Sequence, residues 1–311
     1  MKKTRQRWGS KLGIILAVAG SAVGLGNFLR FPVQAAQNGG GAFMIPYFIS
    51  LLLLGIPLMW IEWAAGRYGG GFEHSTAPGI FHSIWEKNRF IKYFGVIGIF
   101  GPMVIFVYYT YIESWTLAYS VFSAIGKYST CTGRASLVSF LQGFQGLEKN
   151  QYFNTIGLAY IFFLVTFLLN IAVVYYGIKG GIERLCKIAM PALFIFASII
   201  AVRVLTLPAP NPLKPSWNSI NGLGFLWNPD FAALKNAKVW LAAAGQIFFT
   251  LSVGIGVILT YASYLKEADD VTLSGLSAAS TNELAEVVLG GSIIIPAAFA
   301  FFGPVGTVEI A

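Results

Sequence analysis

Long runs of apolar residues alternate with shorter polar segments along the whole chain. A helix needs about 20 apolar residues to cross the hydrocarbon core of a bilayer, and seven runs are long enough. The runs cover residues 12–29, 43–65, 93–126, 152–176, 188–207, 239–265 and 287–308. The polar segment 127–151 and the proline-rich segment 208–238 are predicted to be loops. The pattern predicts an all-α integral membrane protein that lies in a lipid bilayer.

Composition supports the membrane assignment and removes several other classes. Charged residues make up 11% of the chain, whereas soluble domains have roughly 25%. Hydrophobic residues make up 56%, which excludes a disordered chain, collagen and a disulfide scaffold as well as a pair of soluble domains. The lone histidines and the cysteines Cys131 and Cys186 form no metal-ligand or nucleophile motif, so we do not expect an enzyme.

The formal charge of +8 is distributed like that of a membrane protein. Lysine and arginine cluster before the first run, after the second and after the fourth, which are alternate loops. The positive-inside rule therefore predicts a cytoplasmic N-terminus in the plasma (inner) membrane, with 127–151 and 208–238 outside. A nucleic-acid partner is not expected, because a basic groove with interleaved aromatic residues is missing. The first run also resembles a signal peptide, but its removal would leave the other basic loops on the wrong side.

Two of the runs are interrupted by glycine at mid-membrane depth. The first is broken over residues 20–27 and the sixth over residues 250–256. Both interruptions read small residue, Val, Gly, branched aliphatic residue, Gly, at 22–26 and at 252–256. One interruption alone is more often a glycine-rich helix contact. Two of them, five spans apart and so running in opposite directions, are typical of an inverted-repeat transporter.

Broken helices supply chemistry at membrane depth. Unwinding frees N–H groups, which suit a carboxylate, and carbonyl groups, which suit an ammonium group or a metal cation. Two facing breaks therefore favour a zwitterion such as an amino acid, together with sodium. Asn27, Thr250 and Asn282 are neutral oxygen donors near the right depth, although each taken singly is more often a helix–helix hydrogen bond.

Ionisable residues within spans are costly and indicate function by default. Glu62 and Glu113 are interpreted as structural groups that cap backbone or share a proton. Arg30 follows the first break and is either a gate charge or an interfacial anchor. Glu286 lies one helical turn beyond Asn282 and can place negative charge beside a cation site.

Several long motifs resemble those of the neurotransmitter:sodium symporter family, especially its bacterial leucine-transporting branch. They are Gly20–Pro32, Asn38–Phe43, Gly55–Pro57, Tyr111–Trp115 and Gln246–Ser252. The resemblance covers nearly the whole chain. It implies an inverted-repeat (5+5) transporter fold with discontinuous helices 1 and 6, and a sodium-coupled symport of neutral, predominantly apolar L-amino acids by alternating access.

The resemblance also implies site residues. The substrate would contact Ala22, Leu25, Gly26, Ile105, Tyr109, Phe249, Thr250, Ser252 and Ile255. Sodium ions would be held by Ala22, Asn27, Thr250 and Asn282 at one site, and by Gly20 and Val23 with further ligands at a second. The outer gate would use Arg30, Gln246 and Phe249, and the inner gate Arg5, Trp8, Ser263 and Tyr264. Glu286 stands where chloride-dependent members have a neutral residue, which implies chloride independence.

Some positions depart from the family pattern. Ile255 replaces an aromatic residue of the pocket and Ile105 replaces a valine, which leaves the preferred amino acid open. Ser21 replaces an asparagine near the site, with an effect that the sequence does not define. Gly24 replaces the aspartate of monoamine carriers, which favours a substrate that has its own carboxylate.

Family members have about twelve spans, so the chain is expected to be truncated after span 7. Residues 1–207 would form the first five-span repeat, 208–238 an extracellular loop, and 239–311 the start of the inverted second repeat. A complete transporter would need the missing C-terminal spans, and a homodimer is possible on sequence grounds. The alternative is a non-transporting membrane remnant or a binding or interaction subunit.

Overall fold

The computed structural model describes residues 6–88 and 90–310, and these residues fold almost entirely into helices. The α-helices are α1 (Lys11–Ala22), α2 (Phe31–Gln37), α3 (Gly41–Ser50), α4 (Ile56–Gly71), α5 (Ala77–Ile84), α6 (Ile91–Phe94), α7 (Ile97–Ala124), α8 (Arg134–Gln145), α9 (Gly157–Tyr175), α10 (Glu183–Leu205), α11 (Ser219–Trp227), α12 (Ala237–Thr250), α13 (Val257–Ala262), α14 (Val271–Glu283) and α15 (Ser292–Ile310). Four π-helical segments lie at Gly26–Arg30, Leu51–Gly55, Ile178–Ile182 and Leu284–Gly291, and a 3₁₀ turn at Phe231–Lys235. The all-α prediction is confirmed.

Five helical stretches are long and apolar enough to cross a membrane. They are Gly41–Gly71, Ile91–Ala124, Gly157–Tyr175, Ile178–Leu205 and Val271–Glu309. A sixth consists of Lys11–Ala22 and Gly26–Gln37, which meet at an angle of 46° across a short break. The remaining predicted span is divided into α12 and α13, each too short to cross by itself. The spans predicted to be discontinuous are therefore the two that the structure divides.

The chain separates into two compact units. The larger consists of the described residues of 1–99 and 182–311, and the smaller is Phe100–Gly181. In the larger unit, α1 packs on α10 and α14, α12 on α3, and α13 on α4. Glycine permits the last approach, because a Cβ atom at Gly66 would lie 2.5 Å from the Leu259 carbonyl oxygen. This unit contains both breaks.

The smaller unit is stabilised by an aromatic cluster. Phe122, Phe140, Phe144 and Phe153 are almost completely buried. Phe122 and Phe153 each contact Phe140 and Phe144 edge to face. Phe140 and Phe144 are four residues apart on α8 and so share one face of that helix. The segment 127–151 was predicted to be a polar loop, but burial of this face folds its centre into α8.

The segment 208–238 also contains a helix within the predicted loop. The Asn218 side chain accepts a hydrogen bond from the Asn221 N–H at 2.8 Å and so caps the start of α11. Asparagine is a preferred residue at this position. Gly222 then allows α11 to pack closely on α15, since a Cβ atom there would lie 2.6 Å from Pro296 Cα. The loop is therefore an ordered helical connection.

Candidate functional site

The first break follows α1 and involves very few residues. Val23 has extended backbone angles (φ −78°, ψ 113°), and its N–H still donates to the Ala19 carbonyl. The Gly24 N–H, which would bond the Gly20 carbonyl in a continuous helix, donates instead to Asn27 Oδ1 at 2.7 Å. The Asn27 N–H likewise donates to Gly24 at 3.2 Å rather than to Val23. The carbonyls of Gly20 and Val23, both predicted sodium ligands, thus lose their α-helical donors.

The second break, between α12 and α13, has a different backbone. Ser252, Gly254 and Gly256 all have positive φ, at 54°, 84° and 82°. The Gly254 N–H, which would bond the Thr250 carbonyl in a continuous helix, donates to Glu62 Oε1. The interpretation of Glu62 as a group that caps backbone fits this contact.

A buried polar cluster joins the two breaks to α14 and the π-helical segment after it. The Asn27 amide donates to Asn282 Oδ1 at 2.9 Å and to Glu286 Oε2 at 3.0 Å. The Asn282 amide donates to Thr250 Oγ1 at 3.0 Å, and Thr250 Oγ1 donates to Glu286. All four side chains are at most 2% exposed. The structure therefore brings together the three predicted side-chain ligands of sodium and the carboxylate predicted beside them.

Close packing of two backbone segments positions the side chains of this cluster. The π-helical segment that carries Glu286 runs along the one that carries Asn27. A Cβ atom at Gly290 would lie 2.1 Å from the Asn27 carbonyl oxygen, so only glycine allows the two backbones to approach this closely. The approach places Asn27 and Glu286 within hydrogen-bonding distance.

Gln246 connects the cluster to the predicted outer gate. Its amide donates to Glu286 Oε1 at 2.7 Å, and its carbonyl oxygen accepts from Arg30. The Arg30 guanidinium lies 4.4 Å from the centre of the Phe249 ring, a cation–π contact. Arg30 therefore contacts the other two residues predicted for this gate, Gln246 and Phe249.

The opposite end of the broken spans holds the residues predicted for an inner gate. Trp8 is 5% exposed, donates from Nε1 to the Tyr261 carbonyl at 2.9 Å, and stacks edge to face on the Tyr261 ring. Ser263 is buried and donates to the Thr260 carbonyl at 2.7 Å, and Tyr264 follows it. Arg5 lies outside the described residues. The role of this set in gating stays a prediction.

The remaining predicted substrate contacts divide between the two units. Ala22 and Leu25 line the first break, and Ser252 and Ile255 line the second, with all four partly buried. A Cβ atom at Gly26 would lie 2.8 Å from the Phe249 ring, so these two predicted residues are in contact. Ile105 and Tyr109 lie on α7 in the smaller unit. Their part in a substrate site stays a prediction.

Two contacts of buried polar groups were missed by sequence reasoning. Tyr47 is completely buried and donates to Glu283 Oε2 at 2.8 Å, beside the polar cluster. Asn27 was predicted as an ion ligand but not as the acceptor for Gly24. The signal for Tyr47 was weak, because the sequence does not say which face of α3 meets α14. Glu113, by contrast, accepts from Asn170 at 2.9 Å within the smaller unit.

The chain is similar in sequence to known proteins. The model of the sodium:neurotransmitter symporter family matches residues 5–139 and 132–310. A protein of Methanocaldococcus jannaschii described as an uncharacterized sodium-dependent transporter is 35% identical over 305 residues. That match covers 97% of this chain and 56% of the archaeal protein. The rat sodium-dependent neutral amino acid transporter B(0)AT3 is 33% identical, with 90% of this chain and 46% of the rat protein covered.

The fold is similar to that of a solved structure. The crystal structure of MhsT in complex with L-phenylalanine superposes with a TM-score of 0.78 at 32% identity. The match covers 98% of this chain and 69% of that chain. The chain thus spans little more than half the length of the archaeal relative and about two thirds of the solved structure.

Proposed function

Because the chain belongs to the sodium:neurotransmitter symporter family, we propose that it forms the substrate- and sodium-binding part of a symporter for neutral, predominantly apolar L-amino acids. The protein would work by alternating access. Relatives support the substrate class by their descriptions: the rat protein is a neutral amino acid transporter, and MhsT was crystallised with L-phenylalanine. The chain covers only part of each relative, so transport by the whole protein belongs to the proposal.

The observation that carries the proposal is the buried cluster of Asn27, Thr250, Asn282 and Glu286. Glu286 accepts hydrogen bonds from the uncharged side chains of Asn27, Thr250 and Gln246. A carboxylate buried among neutral groups is costly unless a proton or a cation neutralises it. Sodium prefers oxygen ligands, and the cluster supplies amide, hydroxyl and carboxylate oxygens. Sodium would take the place of hydrogen bonds that these groups now make to one another.

The breaks themselves would bind the zwitterionic part of the substrate. The carbonyls of Gly20, Val23 and Thr250 have lost their α-helical donors, as described above, and are suited to cations. N–H groups at the start of the π-helical segment Gly26–Arg30 suit the substrate carboxylate. Gly24 adds no side-chain charge beside that carboxylate. Phe249 and Ile255 would border an apolar side chain of the substrate.

Glu286 would also make the protein independent of chloride. A fixed negative charge at this position supplies what a bound anion would otherwise supply beside sodium. We further propose the plasma membrane as the location, with a cytoplasmic N-terminus. Sodium is the co-transported ion in this proposal, and further spans would complete the transporter.

Equilibrium binding of tritiated L-leucine and L-phenylalanine to the chain in liposomes tests the proposal. The chain is measured alone and after extension with the remaining segment of a full-length relative, in sodium and in potassium. We expect the amino acids to bind in sodium but not in potassium. Binding should be unchanged when chloride is replaced by gluconate. Binding by the extended form only would support a binding part that needs its scaffold. Absence of binding by both forms would contradict the symporter function and favour a non-transporting membrane protein.

The variant Asn27→Ala locates the ion site. Removing one oxygen ligand is expected to raise the sodium concentration for half-maximal binding by roughly tenfold or more. Asn170→Ala is the matched control, because this amide also donates to a carboxylate in a span but belongs to neither break. An unchanged sodium dependence in Asn27→Ala would show that the proposed ion site is wrong.

A further inference from the structure

Glu183 is a buried carboxylate that the proposed transport site does not use. It begins α10 and is 2% exposed. Oε2 accepts from the Gly9 N–H at 2.7 Å, and Oε1 accepts from Ser10 Oγ at 2.9 Å and from Lys187 Nζ at 2.6 Å. Two of its three donors therefore come from the segment that precedes α1, more than 170 residues away in sequence.

The start of α1 is shaped to receive this carboxylate. Ser10 caps α1, since its Oγ accepts from the Gly13 N–H at 3.0 Å while its hydroxyl proton goes to Glu183. A Cβ atom at Gly13 would lie 2.2 Å from Glu183 Oε1 and 2.3 Å from its Cδ. Any side chain at Gly13 would thus push the carboxylate away. The carboxylate of Glu183 therefore contacts the Gly9 backbone and the Ser10 side chain, and it occupies the space beside Gly13.

The same segment is attached on its other side to α13. Trp8, immediately before Gly9, donates to the Tyr261 carbonyl and is buried against the Tyr261 ring. Residues 8–10 are therefore held between α13 and α10, by an aromatic contact on one side and a carboxylate on the other. Trp8 was predicted as a gate residue, whereas Glu183 was not singled out.

We propose that Glu183 is a positioning residue that fixes the cytoplasmic end of α1 against α10 through Gly9 and Ser10, and that its release allows α1 to separate from α10. The proposal rests on the proposed function for its meaning in transport, because α1 leads directly to Ala22 and Val23. Separation of α1 would remove their carbonyls from the ion site and open that side of the protein.

A native cysteine reports whether α1 and α10 are in contact. Cys186 is three residues after Glu183 and so lies on the same face of α10. Its Sγ atom would be 3.2 Å from a Cβ atom at Gly20, in the last turns of α1. The thiol is therefore partly covered by α1, and separation of the helices would expose it. The second cysteine, Cys131, is replaced by serine in every variant so that one thiol remains.

The experiment measures the rate at which N-ethylmaleimide alkylates Cys186 in the full chain in liposomes. Glu183→Gln removes the carboxylate charge, and Gly13→Ala displaces the carboxylate but keeps that charge. Loss of charge-assisted hydrogen bonds predicts an increase of about tenfold in both. Gly245→Ala is the control for Gly13→Ala, because nothing lies within 4 Å of that added methyl group. Lys187→Ala removes only a half-exposed ion-pair partner and should change the rate by less than about threefold.

The results distinguish the contact of Glu183 with Gly9 and Ser10, here called the clamp, from the proposed transport function. Faster labelling in both test variants without sodium supports the clamp, whether or not sodium and amino acid bind. Slower labelling in sodium of the chain that carries Cys131→Ser alone would support the ion site in addition. Wild-type rates in both Glu183→Gln and Gly13→Ala overturn the clamp. If either variant elutes as aggregate, Ser10→Gly replaces it, since glycine still caps a helix but cannot donate to Glu183.

Discussion

The two breaks have the same sequence pattern but different backbones. In the first, Val23 is extended and the chain re-enters a π-helical turn without a single positive φ angle among residues 20–30. In the second, Ser252, Gly254 and Gly256 are all left-handed. Equivalent glycines nevertheless share one feature: the N–H groups of Gly24 and Gly254 both donate to a side-chain oxygen instead of a helical carbonyl.

The difference lies in where that oxygen comes from. Asn27 is three residues along the same chain, so the first break is closed by local sequence. Glu62 belongs to α4, so the second break depends on the packing of another span. A locally closed break keeps its shape wherever the helix goes. The shape of the second break therefore depends on where α4 packs.

Glycine-to-alanine exchange at equivalent positions should separate the breaks most strongly. Gly256 has positive φ, and a Cβ atom there would lie 2.6 Å from Gly98 Cα, so strain and a backbone clash add. A Cβ atom at Gly26 would meet only the Phe249 ring, and this side chain can rotate away. We expect Gly256→Ala to lower the free energy of unfolding in mixed micelles by about 3–5 kcal/mol and Gly26→Ala by about 1–2 kcal/mol. Gly254→Ala, left-handed but in open space, controls for strain alone.

Asn27→Ala should cost about 2–4 kcal/mol in the same unfolding measurement. The substitution leaves the Gly24 N–H without its acceptor, and it removes one donor each from Asn282 and Glu286, which keep their hydrogen bonds with Thr250 and Gln246. An unpaired buried group costs about 1–3 kcal/mol, and water recovers part of that loss. The paired variant Glu62→Ala removes the acceptor of the Gly254 N–H and should lower the free energy of unfolding by less. Equal losses would mean that the local and the remote closures are equally important.

Glu62→Gln tests whether charge matters to the second break. The amide oxygen can still accept from Gly254, so the expected loss is about 1 kcal/mol, the difference between a charge-assisted and a neutral hydrogen bond. Glu113→Gln is the control, as a carboxylate that accepts from Asn170 rather than from a break. A gain in stability on Glu62→Gln would instead indicate that burial of Oε2, which has no hydrogen-bond partner among the described residues, dominates.

Substitution by glycine at the first position of the shared pattern, Ala22 or Ser252, should have the smallest effect on stability. The effect should have opposite signs in the two breaks. Ser252 pays for a left-handed backbone, so Ser252→Gly relieves about 1–2 kcal/mol of strain and loses about 0.5–1 kcal/mol to the greater freedom of the unfolded chain. Its counterpart Ala22 ends a regular helix, where glycine costs about 1 kcal/mol. We expect a slight gain at 252 and a clear loss at 22, read as shifts in the unfolding midpoint. Losses at both positions would contradict the left-handed assignment.

The positions of the spans and of the breaks were predictable because they depend on local properties. Apolar length determines a span, and the glycine-rich segments at 20–27 and 250–256 mark where the helices end. The first break is nevertheless shorter than predicted, since α1 continues to Ala22. Glycine adopts positive and negative φ angles about equally readily, so the pattern could not distinguish an extended break from a left-handed one.

Contacts between distant segments were harder to predict from residues alone. Depth in the membrane indicated Asn27, Thr250 and Asn282 as separate oxygen donors, and the family resemblance assigned all three to one sodium site. It gave no partner for Tyr47 or Glu183, because these contacts depend on which helix faces meet. The helices α8 and α11 were missed because they have 12 and 9 residues, far fewer than a span needs, although Asn218 was a visible cap.

The π-helical turn after the first break has a consequence for evolution by insertion and deletion. Such a turn contains one residue more than the α-helical turn it replaces. Deleting Phe28 or Leu29 would restore a regular helix and rotate Asn27 relative to Arg30 by about 100°. One of the two would then leave its partners, Asn282 or Gln246. We therefore expect homologues to vary in this turn by substitution and not by length.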